Sequence, residues 1–246
     1  MESRNGAQHG RCSGWLAPPL NAFLVERHES CDEIVMRPRL FSYCVTHDLG
    51  SAPNPFWGVC SLAICKPRIR NAARLGDWLV GTASKSFGER AGSVIYAMKV
   101  TRKMSLASYD AYTRQHLPGK IPQWLSSDPV LRFGDSIYDF SSDPPTQRDS
   151  VHGKDRQDDD LIGRFALLSE HFFYFGDEPR VLPSDLQAIV VQRGHRSTAN
   201  APYLEPFLDW LKSLSLEPCR LYGKPNNPEF EMWKGESGPE VKTKCG

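Results

Sequence analysis

Short apolar runs separated by glycine and proline constrain the fold of this chain more than any other feature of its sequence. From Leu40 onward, β-compatible runs alternate with turn residues, a pattern typical of strands rather than of long helices. The predicted strands are Leu40–Thr46, Gly58–Cys65, Asp77–Ser84 and Gly92–Met104, the last being the longest. The loop between the first two contains prolines, which exclude regular structure there.

Fewer segments show helical periodicity. Ser105 is a suitable N-cap for a helix over Leu106–Gln115, and Ala201–Leu216 places its apolar residues on one helical face. The run Ala166–Gly176 is apolar and aromatic, and we predict a strand at its end. Because many short strands accompany few helices, we expect an α+β fold built on a mostly antiparallel β-barrel with peripheral helices, not a doubly wound parallel sheet.

The chain divides into three predicted parts. Residues 1–35 have little periodicity, so we expect a poorly ordered tail or an over-extended start, with a short helix at Leu20–Arg27 as the alternative. Residues 36–216 are predicted to form a single globular domain. Residues 217–246 are rich in proline, glycine and lysine and are predicted to fray.

Composition excludes several classes of protein. Hydrophobic residues make up 40%, charged residues make up 24%, and the net charge is +1 over 246 residues, so the overall charge does not indicate nucleic-acid binding. No apolar run is long enough for a transmembrane helix, and no secretory signal is visible. We interpret the seven cysteines as reduced thiols in a cytoplasmic protein without a membrane partner.

A polar loop follows the first predicted strand. His47 is a candidate general acid or base because imidazole titrates near neutrality. Asp48 is a candidate to orient it, although neighbouring residues of a strand point to opposite faces. Asn54 is a candidate to read a planar polar group. The alternative is a tight loop whose side chains cap their own backbone.

The pattern of the cysteines and of one acidic run indicates structural and not chemical roles. Strand alternation places Cys60 and Cys65 on opposite faces of one strand, so neither these thiols nor Cys44 indicate a metal site. We interpret all three as small buried hydrophobes. The acidic run Asp158–Asp160 is typical of a solvated loop. The sequence does not identify a cofactor.

Basic residues are candidates for phosphate binding. Lys66 and Arg68 belong to a cluster that follows the second predicted strand. His195 and Arg196 belong to the compact segment "RGHR" and are candidates to contact a phosphate or to join His47. The alternatives are a solvated surface for the first pair and an exposed turn for the second.

Two Gly-Asp turns precede further candidates. Trp78 follows the first turn, either as a core side chain or as an aromatic that stacks on a base at a pocket mouth. Asp135 lies in the second turn as a candidate carboxylate, and Tyr138 follows it. The chain lacks the P-loop, dinucleotide-binding, zinc-protease, serine-hydrolase and deaminase signatures, which weakens the case for those enzymes.

The order of the motifs resembles a known family. "THDLGSAPNPFWGVCSLAICKPRIR", "GDWLVGTAS", "VIYAMKV", "GDSIYD", "FFYFG" and "RGHR" together are similar to the second nucleotide-modification-associated domain family, over Phe41 to Arg196. That resemblance implies a role in DNA base hypermodification, mainly in bacteriophage and mobile bacterial loci. It implies a site lined by His47, Asp48, Asn54, Lys66, Arg68, Asp135, Tyr138, His195 and Arg196.

These observations combine into one leading hypothesis. The chain is expected to act in DNA base modification and to hold a nucleotide or flipped base in a barrel similar to PUA-like and EVE-like domains. Phosphates would contact Lys66, Arg68 and Arg196, the base would stack on Trp78 or Tyr138, and His47 with Asp135 would supply acid–base chemistry.

Two alternatives from other classes remain open. A non-catalytic reader of modified DNA would use the same pocket without turnover. An accessory protein would bind a base-modification enzyme, through an apolar surface of the predicted helix Ala201–Leu216.

Overall fold

A computed structural model describes residues 37–233, so the predicted tail of residues 1–35 and its alternative helix lie outside the described residues. Within this range no helix is long and apolar enough to cross a membrane. The strands are β1 (Leu40–Val45), β2 (Cys60–Leu62), β3 (Trp78–Ala83), β4 (Val94–Lys99), β5 (Arg102–Ser105), β6 (Tyr138–Asp139), β7 (Thr146–Gln147), β8 (Phe165–Ser169), β9 (His171–Tyr174), β10 (His195–Arg196) and β11 (Arg220–Leu221). The helices are α1 (Pro67–Ala72), α2 (Leu106–His116), α3 (Pro129–Arg132), α4 (Gln157–Ile162) and α5 (Leu204–Ser213).

The strands form a main sheet and two smaller ones. The main sheet has six strands in the order β10-β1-β3-β4-β9-β11, in which the β1–β3 and β9–β11 pairs are parallel and the other pairs are antiparallel. A second sheet has the antiparallel order β2-β8-β5, and β6 pairs with β7. The α+β class predicted from the sequence is therefore confirmed.

The predicted closed barrel is not confirmed. The main sheet of the described chain runs from β10 at one edge to β11 at the other, and these two edge strands do not pair with each other. The predicted long strand Gly92–Met104 divides after Lys99 into β4 and β5, which belong to different sheets. The chain therefore passes from one layer to the next where a single barrel strand was predicted, and the likeness to PUA-like domains stays a prediction.

Both faces of the main sheet are covered. Alternating residues of β1 enter two separate apolar clusters, with Phe41 and Tyr43 on the side of the second sheet and Leu40 on the side of α5. All six residues of β1 are buried, as expected for a strand covered on both faces. The apolar face of α5, including Phe207 and Leu211, packs into the second cluster. That face belongs to the core and is not a free surface for a partner enzyme.

Local signals place the helices close to their predicted positions. The Ser105 hydroxyl caps α2 by accepting the backbone N–H of Ser108 at 3.0 Å. The α5 helix begins at Leu204 after a 3-10 helix over Thr198–Tyr203, later than the predicted start. The aromatic run 166–176 forms two strands, β8 and β9, that meet at Glu170.

The C-terminal boundary predicted at residue 216 falls inside the fold. Strand β11 pairs with β9, where Arg220 lies opposite Phe173. Phe230 is fully buried and stacks on Phe56 with ring centroids 5.7 Å apart. Residues 217–233 therefore pack against the domain instead of fraying.

A buried ammonium organises the loops around β2. Lys120 is fully buried, and its Nζ atom donates to the carbonyl of Asn54 at 2.9 Å and to its side-chain Oδ1 at 2.7 Å. It also donates to the Val59 carbonyl at 2.7 Å and to Ser61 Oγ at 2.8 Å. Burial lowers the pKa of Lys120 to about 8, against the opposing charge of Asp135.

Replacing Lys120 by Met should lower the free energy of unfolding by about 3 kcal/mol or more, because the buried acceptors around Nζ would lose their donor. Urea denaturation followed by far-UV circular dichroism measures this change. The matched control is Lys99→Met at an exposed strand position, where we expect a change within about 0.5 kcal/mol. Equal stability of the two variants would contradict the organising role of Lys120.

Candidate functional site

A strained turn follows β2 and leads into α1. Cys65 and Lys66 both have positive φ values, 56° and 42°, which non-glycine residues rarely adopt. Pro67 then begins the helix, and Lys66 occupies its N-cap position. Cys65 is half-buried and lies beyond the end of the strand, so its predicted place on a strand face was wrong. Strain of this kind persists where the surrounding structure fixes the backbone.

The surrounding structure fixes this turn through Arg70. Its guanidinium is fully buried and donates to the carbonyl of Cys65 at 2.7 Å and to the carbonyl of Asp160 at 2.6 Å. It also donates to the carbonyls of Gly163 and Phe165. Burial lowers the pKa of Arg70 to about 10, against the opposing charge of Asp160. The sequence prediction placed Arg70 in a phosphate-binding cluster, whereas the structure uses it to join α1 to α4.

Asp160 connects the turn to an imidazole. Its Oδ1 accepts the backbone N–H of Cys65 at 2.9 Å. Its Oδ2 lies 2.6 Å from His152 Nδ1 and accepts the Tyr138 hydroxyl at 3.1 Å. Burial alone would raise the pKa of Asp160, but the hydrogen bond and charge of His152 outweigh burial and hold that pKa below its ordinary value. Asp160 is therefore buried and hydrogen-bonded, in contrast to the solvated loop predicted for this acidic run.

His152 lies between this carboxylate and the thiol. Its Nδ1 is within hydrogen-bond distance of Asp160, and its Nε2 is 3.3 Å from Cys65 Sγ. Partial burial alone would lower the pKa of His152, but the bonds to Asp160 and Cys65 raise it to about 10. The imidazole therefore contacts a carboxylate through one ring nitrogen and a thiol through the other. Cys65, His152 and Asp160 thus form a hydrogen-bonded triad with the geometry of an activated nucleophile.

Two cavities share the thiol and the imidazole of this triad in their walls. Cys65, Lys66 and His152 line both a cavity of about 490 Å³ and a neighbouring one of about 180 Å³. His47 lines only the smaller cavity, together with backbone and apolar groups of β1 and the loop after it. The larger cavity adds the charged side chains Asp155, Arg156 and Asp159. The thiol is therefore accessible to a ligand from two directions.

The same three side chains are the described residues that come close enough together for a metal ion. Both oxygens of Asp160 already accept hydrogen bonds, and His152 Nδ1 is engaged with one of them. That leaves Cys65 Sγ and His152 Nε2 as donors, fewer than the three or four protein ligands of ordinary zinc sites. The arrangement fits a hydrogen-bonded triad better than a metal centre.

The comparison with known families adds an independent finding. Residues 37–232 match the model of nucleotide modification associated domain 2. The chain belongs to this family. The resemblance found from the sequence motifs is thereby confirmed, and a role in nucleotide modification follows from it. No curated protein and no solved structure matches the chain.

Within this nucleotide-modification-associated domain, two of the predicted site residues, Lys66 and Tyr138, adjoin the triad. Lys66 lies next to the thiol, with its Nζ 3.2 Å from the Cys44 carbonyl and 4.7 Å from the centroid of the Tyr43 ring. Tyr138 contacts the triad through Asp160, so its buried hydroxyl supports the carboxylate and its ring does not offer a stacking surface.

Three other predicted residues are exposed and do not line either cavity. Arg68 is an exposed residue of α1, and His195 is an exposed residue of β10 opposite Tyr43. Arg196, its neighbour, is also exposed and donates to the carbonyl of Ala188.

Asp48 points away from His47 into the core. Its carboxylate accepts the Tyr174 hydroxyl at 2.6 Å and the Asn226 backbone N–H at 3.3 Å. Burial raises its pKa to about 6, although both hydrogen bonds oppose the change. The predicted orientation of His47 by Asp48 therefore does not occur, because consecutive side chains leave the strand end in opposite directions.

The structure places the remaining predicted residues in the core. Asn54 and Asp135 belong to the network around Lys120, where Asp135 is fully enclosed and accepts the hydroxyls of Ser61 and Tyr109 at 2.6 Å. Trp78 is buried against the edge of His171, so it is not at a pocket mouth. These side chains do not reach either cavity that contains the triad.

The triad itself was missed by sequence reasoning. Its members are separated by up to 95 residues, and no spacing rule joins them. A usable signal was the segment after β2, where a cysteine precedes Lys-Pro at the start of a helix. A strand–turn–helix junction of this type presents a side chain at the end of a sheet.

Asp48 should make stability depend on pH. Its pKa is about 6 in the folded protein and near 4 when unfolded, so the folded state binds more protons between these values. Stability should therefore fall as the pH rises from 4 to 7, by about 3 kcal/mol relative to Asp48→Asn. Chemical denaturation across this range measures the difference. A flat difference would contradict the buried environment, and exposed Asp209→Asn is the control.

Gly163→Ala should destabilise the protein by about 2 kcal/mol, because its Cβ would overlap the buried guanidinium of Arg70 and approach the backbone of Pro67. Thermal unfolding measures the loss. Gly153→Ala is the matched control, since a Cβ there meets only the exposed, movable side chain of Asp155. Similar melting temperatures for both variants would show that Arg70 tolerates displacement.

Proposed function

We propose that this domain modifies a nucleotide base by thiol-dependent catalysis, with Cys65 as the nucleophile. The supporting observation is the hydrogen-bonded series from Asp160 through His152 to Cys65 Sγ, with separations of 2.6 Å and 3.3 Å. His152 and Cys65 lie in the shared wall of two cavities. The family supports the nucleotide as the class of substrate. In this proposal the bound partner is DNA or a nucleotide, and the triad carries out one step of base modification.

The triad residues take separate roles in this step. The thiol proton lies on the His152 imidazolium, and Sγ forms a bond to an electrophilic carbon of the substrate. His152 then returns the proton to the leaving group as the bond between that group and the carbon breaks. An incoming nucleophile gives its proton to His152 and displaces Sγ, which restores the starting state. Asp160 holds His152 in place throughout.

The residues around the triad would bind the rest of the substrate. Lys66 is the nearest ammonium to the thiol region and is suited to a phosphate. His47 lines the smaller cavity and is suited to hydrogen-bond the base or to act as a second acid or base. The burial of Asp135 and Trp78 argues against their predicted roles in acid–base chemistry and stacking.

The reactivity of Cys65 tests the proposal. At neutral pH, iodoacetamide should label Cys65 at least about tenfold faster than the buried Cys44 and Cys60, because His152 activates the thiol. His152→Gln should slow the labelling about tenfold or more. Peptide mass spectrometry with timed quenching gives the rate at each site. Equal rates with and without His152 would contradict an activated nucleophile.

Turnover is tested by the nucleosides of DNA from cells that carry the native locus. A base mass that appears with the intact protein should disappear with Cys65→Ser and persist with Cys219→Ser, the matched control at a half-buried cysteine outside both cavities. His47→Ala shows whether that imidazole is required as well. An unchanged base mass with a folded Cys65→Ser protein would overturn catalysis by Cys65. It would favour the non-catalytic reader of modified DNA, which uses the same pocket without turnover.

A further inference from the structure

A basic surface extends outward from the triad. Strand β10 places His195 opposite Tyr43 in β1, and the Lys66 ammonium lies 4.7 Å from the centroid of the Tyr43 ring. Arg68 is exposed two residues after Lys66, in the first turn of α1. We call Lys66, Arg68 and His195 the basic flank. It joins an edge strand of the main sheet to the turn that carries the thiol.

The basic flank is not neutralised within the described part of the chain. None of its three residues forms an ion pair with a described carboxylate. Partial burial and the positive charges of Arg68 and Lys66 together lower the pKa of His195, which shows that the three groups lie within electrostatic reach of one another. Uncompensated positive charge of this kind attracts an anionic ligand.

The two cavities differ in charge. No carboxylate lines the smaller cavity, which lies beside the basic flank and contains Lys66 and His47. The larger cavity is lined by three carboxylates, those of Asp155, Asp159 and Asp160, and by Arg156. A phosphate is therefore attracted to the side of the smaller cavity and repelled from part of the larger one.

The volume of the smaller cavity limits how much of a nucleotide it can hold. Its volume of about 180 Å³ is below the range of roughly 300–1,000 Å³ that encloses a complete small-molecule ligand. The cavity accommodates one part of a nucleotide while the phosphate stays outside. The basic flank is the surface that such a phosphate would meet.

We infer that the substrate is a nucleotide within a single strand of nucleic acid, whose phosphates lie along the basic flank while one base enters the smaller cavity. This inference rests on the proposed function. A base in a stacked duplex cannot reach a thiol in a cavity wall unless it leaves the stack, which a single strand permits at lower cost. A free nucleotide would use Lys66 and leave Arg68 without a phosphate.

Binding of a labelled oligonucleotide tests the inference. We expect a mixed-sequence, fluorescein-labelled 12-mer of single-stranded DNA to bind with a salt slope of about −1.4, as contacts of Lys66 and Arg68 with two phosphates imply. Arg68→Ala should reduce the slope by about 0.7 and weaken binding several-fold. Arg74→Ala is the matched control, an exposed arginine just beyond the other end of α1. Fluorescence anisotropy at several salt concentrations gives these values.

Competition separates the possible substrates. An equimolar mixture of deoxynucleoside monophosphates should displace the 12-mer only at concentrations at least about a hundredfold higher. The inference would be overturned if monophosphates displaced the 12-mer at the same total concentration of nucleotides. It would also be overturned if Arg68→Ala and Arg74→Ala changed the affinity and the salt slope equally. Tighter binding of the same sequence as a duplex would overturn the single-stranded part of it.

Labelling of Cys65 distinguishes failure of this inference from failure of the proposed function. The 12-mer should slow iodoacetamide labelling of Cys65 in the wild-type protein and less so in Arg68→Ala. Protection by mononucleotides alone would overturn the inference and keep the proposed thiol chemistry. DNA binding to a protein whose Cys65 is unreactive would overturn the proposed chemistry and leave the binding surface in place.

Discussion

The buried guanidinium of Arg70 is the interaction on which the candidate site depends. It takes its hydrogen-bond acceptors from backbone carbonyls on both sides of the site, including those of Cys65 and Asp160. Enclosing a charged group is costly unless its donors are satisfied, so the segments that supply these acceptors are held together. The left-handed backbone of Cys65 and Lys66 is maintained in the same way, because the turn cannot relax without breaking this contact.

The Asp160 carboxylate connects this backbone arrangement to the thiol and the imidazole. It accepts the amide of Cys65 with one oxygen and holds His152 with the other. The thiol and the imidazole are thereby positioned by one rigid group and not by two independent loops. The Tyr138 hydroxyl adds a donor to the oxygen that holds His152, which further limits the movement of the carboxylate.

Local features of the fold could be predicted from the sequence, and the site largely could not. The Ser105 cap, strand β3 and the family depend on neighbouring residues or ordered motifs, and these predictions agree with the findings. The barrel was not confirmed, because a two-residue break after Lys99 sends the chain into another sheet. Among the candidate residues, Lys66 was predicted from its basic cluster, and it reaches the site because it follows Cys65 directly in the chain. His152 and Asp160 reach Cys65 only through tertiary contacts, which no local pattern records.

The C-terminal segment has a consequence for the order in which the protein can fold during synthesis. The ring of Phe230 stacks on Phe56, in the loop between β1 and β2, and the backbone of Asn226 binds Asp48 near the smaller cavity. A ribosome delivers these residues after the triad residues and all the described strands. The central layers of the nascent chain can therefore form before Phe230 packs on the loop beside the thiol. A protein terminated early, at residue 216, would retain the triad residues and lose the aromatic contact that fixes that loop.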